Sequence, residues 1–218
     1  MERYSMMKSA EAAFIIIDMQ WGFIDEASSL CIAGARATIP ACATALQTAR
    51  RLGMPVFHVR RNYAADGSDV EPVRVKTWLA GGRPVCAAGD NPDSVLAPPE
   101  LAELPGESVI FKPSFSAFYG TTLEADLRAR GVRTVVLAGT TSPNCVRSTC
   151  YDALARGLNV VVLEDATSSR TPEVQEANIA DMAYIGAHIM TTAEFAEHGL
   201  QDAPDVAQQA TKLLTTLN

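Results

Sequence analysis

The segment Val135-Val136-Leu137-Ala138-Gly139-Thr140-Thr141-Ser142-Pro143-Asn144-Cys145-Val146-Arg147 decides how the chain folds. An apolar run ends in a Gly/Thr/Ser/Pro/Asn turn, and a helical pattern begins around the cysteine, as where a buried strand passes into a helix. Working outward, similar apolar runs predict strands at 12–18, 55–60, 108–112, 133–138, 159–163 and 187–190. Helical patterns fill 36–52, 121–130, 145–156, 173–185 and 204–217, and Gly53, Gly131 and Gly157 close three of them just before the next strand. Such alternation predicts parallel β-α-β units with right-handed crossovers. The expected architecture is one three-layer α/β/α doubly wound domain over 1–218, with a six-stranded parallel sheet in the order 3-2-1-4-5-6.

Of the 218 residues 48% are apolar and 20% charged, enough to bury a sizeable core. A net charge of −7 with no basic run argues against nucleic acid or an anionic membrane as partner. The richest basic site, Arg50-Arg51, fits the last turn of a helix. Five cysteines (Cys31, Cys42, Cys86, Cys145, Cys150) without CxxC spacing suit neither a disulfide framework nor a thiolate zinc site. The first eight residues have no apolar signal-peptide core, and Phe14 to Ile17 is far below membrane-spanning length. A reducing cytoplasm is therefore the expected location.

Ligands of open α/β sheets bind beyond the carboxyl ends of the strands, so the polar residues there are the candidates. The first run ends in Asp18, the third in Lys112, and the fourth leads into Cys145. Each alone has an ordinary use: an aspartate caps or turns, a lysine is solvated, a cysteine is a small buried hydrophobe. On one rim they compose a nucleophilic site. The turn and helix start aim N–H groups at the sulfur and favour the thiolate. Asp18 can accept the thiol proton and later deliver it to a leaving amine. Lys112 would favour the thiolate and orient the carboxylate, and amides of the 141–145 turn could hold an oxyanion. The reaction class is acyl transfer to water through a thioester. The stretch 62–107 breaks the rhythm and reads as a long loop that shapes the pocket or an oligomer contact.

Several ordered blocks resemble the isochorismatase-like superfamily of cysteine hydrolases. They are Phe14-Ile15-Ile16-Ile17-Asp18-Met19-Gln20, Phe111-Lys112-Pro113-Ser114-Phe115-Ser116-Ala117-Phe118 and Ala138-Gly139-Thr140-Thr141-Ser142-Pro143-Asn144-Cys145-Val146. Ser148 to Ala153 and Glu164-Asp165-Ala166 also fit, and the likeness spans roughly residues 10–195. The resemblance implies that Asp18, Lys112 and Cys145 form a catalytic triad. It also implies a cis peptide at Thr140–Thr141 and an oxyanion hole of the Thr141 and Cys145 amides. It further implies a homo-oligomer, a dimer or tetramer, and Phe23 and Phe118 as walls of the pocket, with Phe115 the better candidate for the core.

Metal-binding nicotinamidases of this group carry an Asp-x-His and a further histidine after the second strand, where this chain has Arg60-Arg61-Asn62-Tyr63-Ala64-Ala65-Asp66. With three histidines in all, and His58 read as a packed core residue, neither metal nor cofactor is expected. Trp21-Gly22 departs from the polar or acidic pair that relatives often have after Asp18-Met19-Gln20, which leaves pocket size open. Isochorismatase itself works without the cysteine, so Cys145 favours hydrolysis of a C–N bond in a small amide, carbamoyl or ureido compound. Arg60 or Arg61 could bind a substrate carboxylate through paired hydrogen bonds, or simply solvate the rim. Asp152 and Asp165 read as cap or turn residues. The stripe Val206, Ala210, Leu213, Leu214, Leu217 could meet another subunit, although docking within the chain is the simpler reading. The rivals are an isochorismatase-type or nicotinamidase-type hydrolase, a thiol switch or ligand-binding protein without turnover, a Lys112 Schiff-base enzyme, and a pseudoenzyme.

Overall fold

In the computed structural model, which describes residues 5–216, six strands form a single sheet. They are β1 (Ala12–Ile17), β2 (Val56–Arg60), β3 (Ser108–Phe111), β4 (Thr134–Thr140), β5 (Asn159–Ser168) and β6 (His188–Met190). Their order is β3-β2-β1-β4-β5-β6 and every neighbouring pair is parallel. Eight α-helices accompany them among the described residues: α1 (Trp21–Ile24), α2 (Ile39–Arg51), α3 (Val75–Ala80), α4 (Leu123–Ala129), α5 (Arg147–Ala155), α6 (Pro172–Tyr184), α7 (Thr192–His198) and α8 (Val206–Thr215). The predicted doubly wound topology and sheet order are those of the molecule.

Both faces of the central strands are covered, which is why their sequences read as continuous apolar runs. Along β1, Ala12, Phe14 and Ile16 join a cluster with Cys42, Ala45 and Leu46 of α2 and Phe195 of α7. The alternate residues Ala13, Ile15 and Ile17 pack with Leu123 and Leu127 of α4, Cys150 and Ala153 of α5 and Met182 of α6.

Two strands outrun their apolar patterns. β4 reaches Thr140 and β5 reaches Ser168, because Gly139 pairs with Thr167 and Thr140 with Ser168. The pairing resumes after an irregularity that leaves Glu164 and Asp165 exposed. Gly139 is required here: its φ is 111°, and a Cβ would stand 2.1 Å from the Ile17 carbonyl oxygen. Asp165 accepts from the Thr192 amide at 2.8 Å, a cap on the first residue of α7, as its turn-or-cap reading implied.

The insertion is a small folded lobe instead of an open loop. Tyr63, Val70, Trp78, Val85 and Cys86 gather over Phe23 and Leu30, and the Trp78 indole donates to the Pro84 carbonyl at 2.9 Å. Gly22 lies beneath it, where a Cβ would meet Val85 Cγ2 at 2.4 Å. At the Trp21-Gly22 departure, the glycine is thus a packing requirement of this lobe. The predicted terminal helix is present as α8, but its stripe does not dock within the chain: Val206, Ala210, Leu213 and Leu214 are all exposed, and Leu217 lies outside the described residues.

His58 is buried, with Nε2 2.8 Å from a Glu107 oxygen that also accepts from the Leu104 amide, while Arg50 Nε donates to the other oxygen at 2.7 Å. Burial alone would raise the Glu107 pKa, but Arg50, the Leu104 amide and His58 bring it down to about 2. A depressed carboxylate pKa stabilises the fold above its ordinary value of 4.5 and loses that contribution as pH falls toward about 2. Glu107→Gln is predicted to lower stability by about 1–3 kcal/mol at neutral pH and to flatten the acid limb of a urea-denaturation pH series. An acid limb identical to that of the parent would contradict this role.

Candidate active site

Strand ends bring the three predicted residues together. Asp18 follows β1 directly, in the left-handed region at φ 52°, with its amide donating to the Val59 carbonyl at 2.9 Å. That conformation is uncommon outside glycine, though aspartate tolerates it better than most residues, and it turns the chain sharply at the sheet edge. Lys112 follows β3, its amide donating to the Arg60 carbonyl at 3.0 Å. Cys145 lies in the π-helical turn Ser142–Val146 between β4 and α5. Because β1 and β4 are neighbours and the chain leaves them in opposite directions, this is the switch point of the sheet.

The Lys112 ammonium stands 2.8 Å from Asp18 Oδ2, and its Nζ is 3.4 Å from Cys145 Sγ and 3.0 Å from the Ser114 carbonyl. All three residues are buried, at 1% (Asp18), 4% (Lys112) and 4% (Cys145) exposure. The Asp18–Lys112 contact is a close, buried ion pair. Burial would pull the Lys112 pKa down, but the neighbouring Asp18 carboxylate outweighs it and holds the amine protonated.

Cys145 corrects an expectation. Burial, followed by the Asp18 charge, pushes its thiol up to about 12, against the opposing pull of Lys112 and Arg74. Burial and the carboxylate beside it thus favour the protonated thiol over the thiolate that the turn and helix start suggested. Desolvation and a like-sign neighbour outweigh the dipoles.

The turn itself is firmly held. The Asn144 and Val146 amides both donate to the Thr141 carbonyl, at 3.1 and 3.2 Å. Thr141 Oγ1 and Ser142 Oγ each lie 3.1 Å from the Ser168 carbonyl, and Ser142 Oγ is 2.6 Å from Gln175 Oε1 of α6. The peptide between Thr140 and Thr141 is cis. Thr141 and Cys145, whose amides the resemblance assigns to the oxyanion hole, both belong to this segment.

The expected substrate-binding residues fare differently. Arg60 ends β2 on the face of His58, and its guanidinium is paired with Glu103. Arg61 is 1% exposed: it pairs with Glu71 at 3.0 Å and donates to the carbonyls of Asp69 and Lys112 at 2.8 and 3.2 Å. Neither presents a free guanidinium, so the expected carboxylate grip by Arg60 or Arg61 gives way to two structural braces. Phe118 is buried in the apolar cluster of Cys145, with the Arg156 guanidinium 4.7 Å from its ring centroid. Phe23 is buried in the lobe. Phe115, read as the better core candidate, is the least buried of the three.

Sequence reading missed Arg74, just ahead of α3. Its guanidinium lies 5.3 Å from the Phe115 ring centroid and 6.0 Å from that of Phe23, and Nη1 donates to Tyr63 Oη at 3.1 Å. Gln20 was also passed over, though buried: its amide closes a 2.7 Å pair of bonds with the Arg61 backbone and locks the two strand ends together. Among the described residues, no three His, Cys, Asp or Glu side chains are gathered closely enough to hold a metal ion.

A doubly wound sheet with carboxylate, ammonium and thiol at its switch point defines an α/β protein of the hydrolase class. The chain belongs to the isochorismatase family, whose Isochorismatase domain matches residues 12–194. It is 34% identical to a probable inactive nicotinamidase of Arabidopsis thaliana over 85% of this chain and 94% of that protein. It is 32% identical to the ureidoacrylate amidohydrolase RutB of Azorhizobium caulinodans, over 85% of this chain and 88% of the relative. The crystal structure of an isochorismatase family protein from Desulfovibrio vulgaris shares 41% identity and superposes with a TM-score of 0.78, covering 85% of this chain and 96% of that one. The molecule is thus an isochorismatase-family hydrolase with an amidohydrolase among its relatives.

A thiol pKa of about 12 predicts that alkylation of Cys145 by iodoacetamide, followed by peptide mass mapping, accelerates with pH and shows no plateau near neutrality. Asp18→Asn removes the carboxylate that disfavours the thiolate and should shift this profile to lower pH. A plateau near neutral pH in the parent would overturn the protonated resting state.

Proposed function

We propose that the protein is a cysteine-dependent amidohydrolase that cleaves a C–N bond of a small amide, carbamoyl or ureido compound and releases ammonia. The observation that carries the reading is the buried contact of Lys112 Nζ with both Asp18 Oδ2 and Cys145 Sγ. A thiol that rests protonated needs a base in contact with it at the moment of attack, and Asp18 is that base.

The sulfur attacks the carbonyl carbon as the thiol proton passes to the Asp18 carboxylate. Negative charge gathers on the carbonyl oxygen, toward the Thr141 and Cys145 amides. The C–N bond then breaks while Asp18 returns the proton to the nitrogen, which leaves as ammonia. Water, deprotonated by Asp18, attacks the thioester carbon; the C–S bond breaks and the proton returns to sulfur. Lys112 remains protonated throughout and keeps the carboxylate in place. The amidohydrolase activity named for the RutB relative supports this direction.

The test is ammonia release over a panel of simple amides, ureides and carbamoyl amino acids. Cys145→Ala and Asp18→Asn should each lower kcat by about a thousandfold or more, with the variants still folded. Undiminished turnover by Cys145→Ala would end the mechanism.

The same reading takes the protein as a cytoplasmic homo-oligomer that acts on small molecules, without nucleic-acid or membrane partners. No helix among the described residues is long and apolar enough to cross a membrane. The exposed face of α8, with Leu213 58% and Leu214 62% exposed, supports association between copies. Light scattering should give a multiple of the chain mass, and a single-chain mass would remove this part of the reading.

A further inference from the structure

The nucleophile turn and α5 present Cys145, Thr149, Asp152 and Arg156 at spacings of four, three and four residues, so these follow one another along a single face. Thr149 is fully buried, and its hydroxyl donates to the Cys145 carbonyl at 2.7 Å. The same oxygen accepts from the Ala117 amide at 3.0 Å. One turn further, Ser116 Oγ donates to Asp152 Oδ2 and accepts from the Phe118 amide at 3.2 Å. Arg156 approaches the other Asp152 oxygen at 3.3 Å and covers the Phe118 ring. Asp152, expected to cap or turn, thus stands inside α5 and commits its carboxylate to the facing loop.

That loop is the one that carries Lys112. Residues 112–122 are neither helix nor strand, and the Lys112 ammonium folds back onto the Ser114 carbonyl at 3.0 Å as it reaches Cys145 Sγ at 3.4 Å. Its place beside the sulfur therefore depends on what the loop is tied to. One tie, the Thr149 hydroxyl, is bonded to the nucleophile's own carbonyl. A threonine that bonds only the carbonyl four residues back is an ordinary helix feature. Here the oxygen also satisfies an amide of another segment, and Ala117 is fully buried, so no water replaces the hydroxyl if it is removed.

We propose that Thr149 is a positioning residue: by bridging the Ala117 amide and the Cys145 carbonyl, its hydroxyl sets the distance between the Lys112 ammonium and the sulfur, with Ser116 and Asp152 as a second tie. The consequence for turnover rests on the amidohydrolase reading; the placement of the ammonium does not.

Thr149→Val keeps the shape and removes the hydroxyl, whereas Thr149→Ser keeps the hydroxyl and removes a buried methyl. Were Thr149 there for packing alone, the serine variant would be the more damaged. The rate of Cys145 alkylation by iodoacetamide at one fixed pH, followed by peptide mass mapping, separates the two roles without any substrate. The ammonium beside the sulfur favours its ionisation. Thr149→Val should therefore react about fivefold more slowly than the parent, and Thr149→Ser within about twofold of it. Simple loosening of the turn would expose the buried thiol and speed the reaction instead. A Thr149→Val rate equal to or above that of the parent would overturn the proposal, as would a serine variant as slow as the valine. Ser116→Ala, which cuts only the second tie, should slow alkylation by about twofold; it decides by the same sign if the valine variant does not fold. On an amide or ureide that is turned over, Thr149→Val should lower kcat about tenfold with KM little changed, and Thr149→Ser should restore it. Failure to release ammonia from any compound would refute the amidohydrolase reading, while the order of alkylation rates would still decide, independently, whether Thr149 places the ammonium.

Discussion

Asp18 and Lys112 carry opposite charges into a place where each side chain is 2% exposed, and removing either from water is tolerable only because they stand 2.8 Å apart. Deleting one partner would strand the other, so each residue holds its mate as much as it performs chemistry. The pair also explains the state of the sulfur. A carboxylate beside a buried thiol opposes ionisation, and an ammonium 3.4 Å away supports it; burial tips the balance toward the thiol. Proton transfer and bond formation are thereby coupled.

The scaffold brings these groups together through contacts that the chemistry does not itself use. Gln20 ties the end of β1 to the Arg61 backbone, and Arg61 donates to the Lys112 carbonyl, so the segments after β1, β2 and β3 are tied to one another. Arg61 also pairs with Glu71, which extends the brace into the insertion. On the other side Ser142 joins the nucleophile turn to β5 and α6. Gly139 lets β4 pass the end of β1 closely enough for the turn to reach Asp18.

Much of this was legible from residues alone, for identifiable reasons. β1 and β4 are buried on both faces, so their apolar runs stand out, and Asp18, Lys112 and Cys145 are legible because each ends or follows such a run. The extension of β5 was not: Glu164 to Ser168 is polar, and only the distant partner β4 makes it strand. The short helix α7 did carry a readable signal, the capping box of Thr191 and Glu194, but too few apolar residues followed to mark a period. Arg60 could have been placed better, since a period of two puts it on the face of His58 and not of Val59. Arg74 had no local signature, because the lobe that orients it is built by contacts with Phe23 and Leu30 from another part of the chain.

The protonated, nearly inaccessible state of Cys145 also bears on how long the molecule lasts. Peroxides select exposed thiolates, and burial together with the Asp18 carboxylate opposes ionisation of this sulfur. The same burial that makes the nucleophile wait for Asp18 therefore slows its oxidative wear.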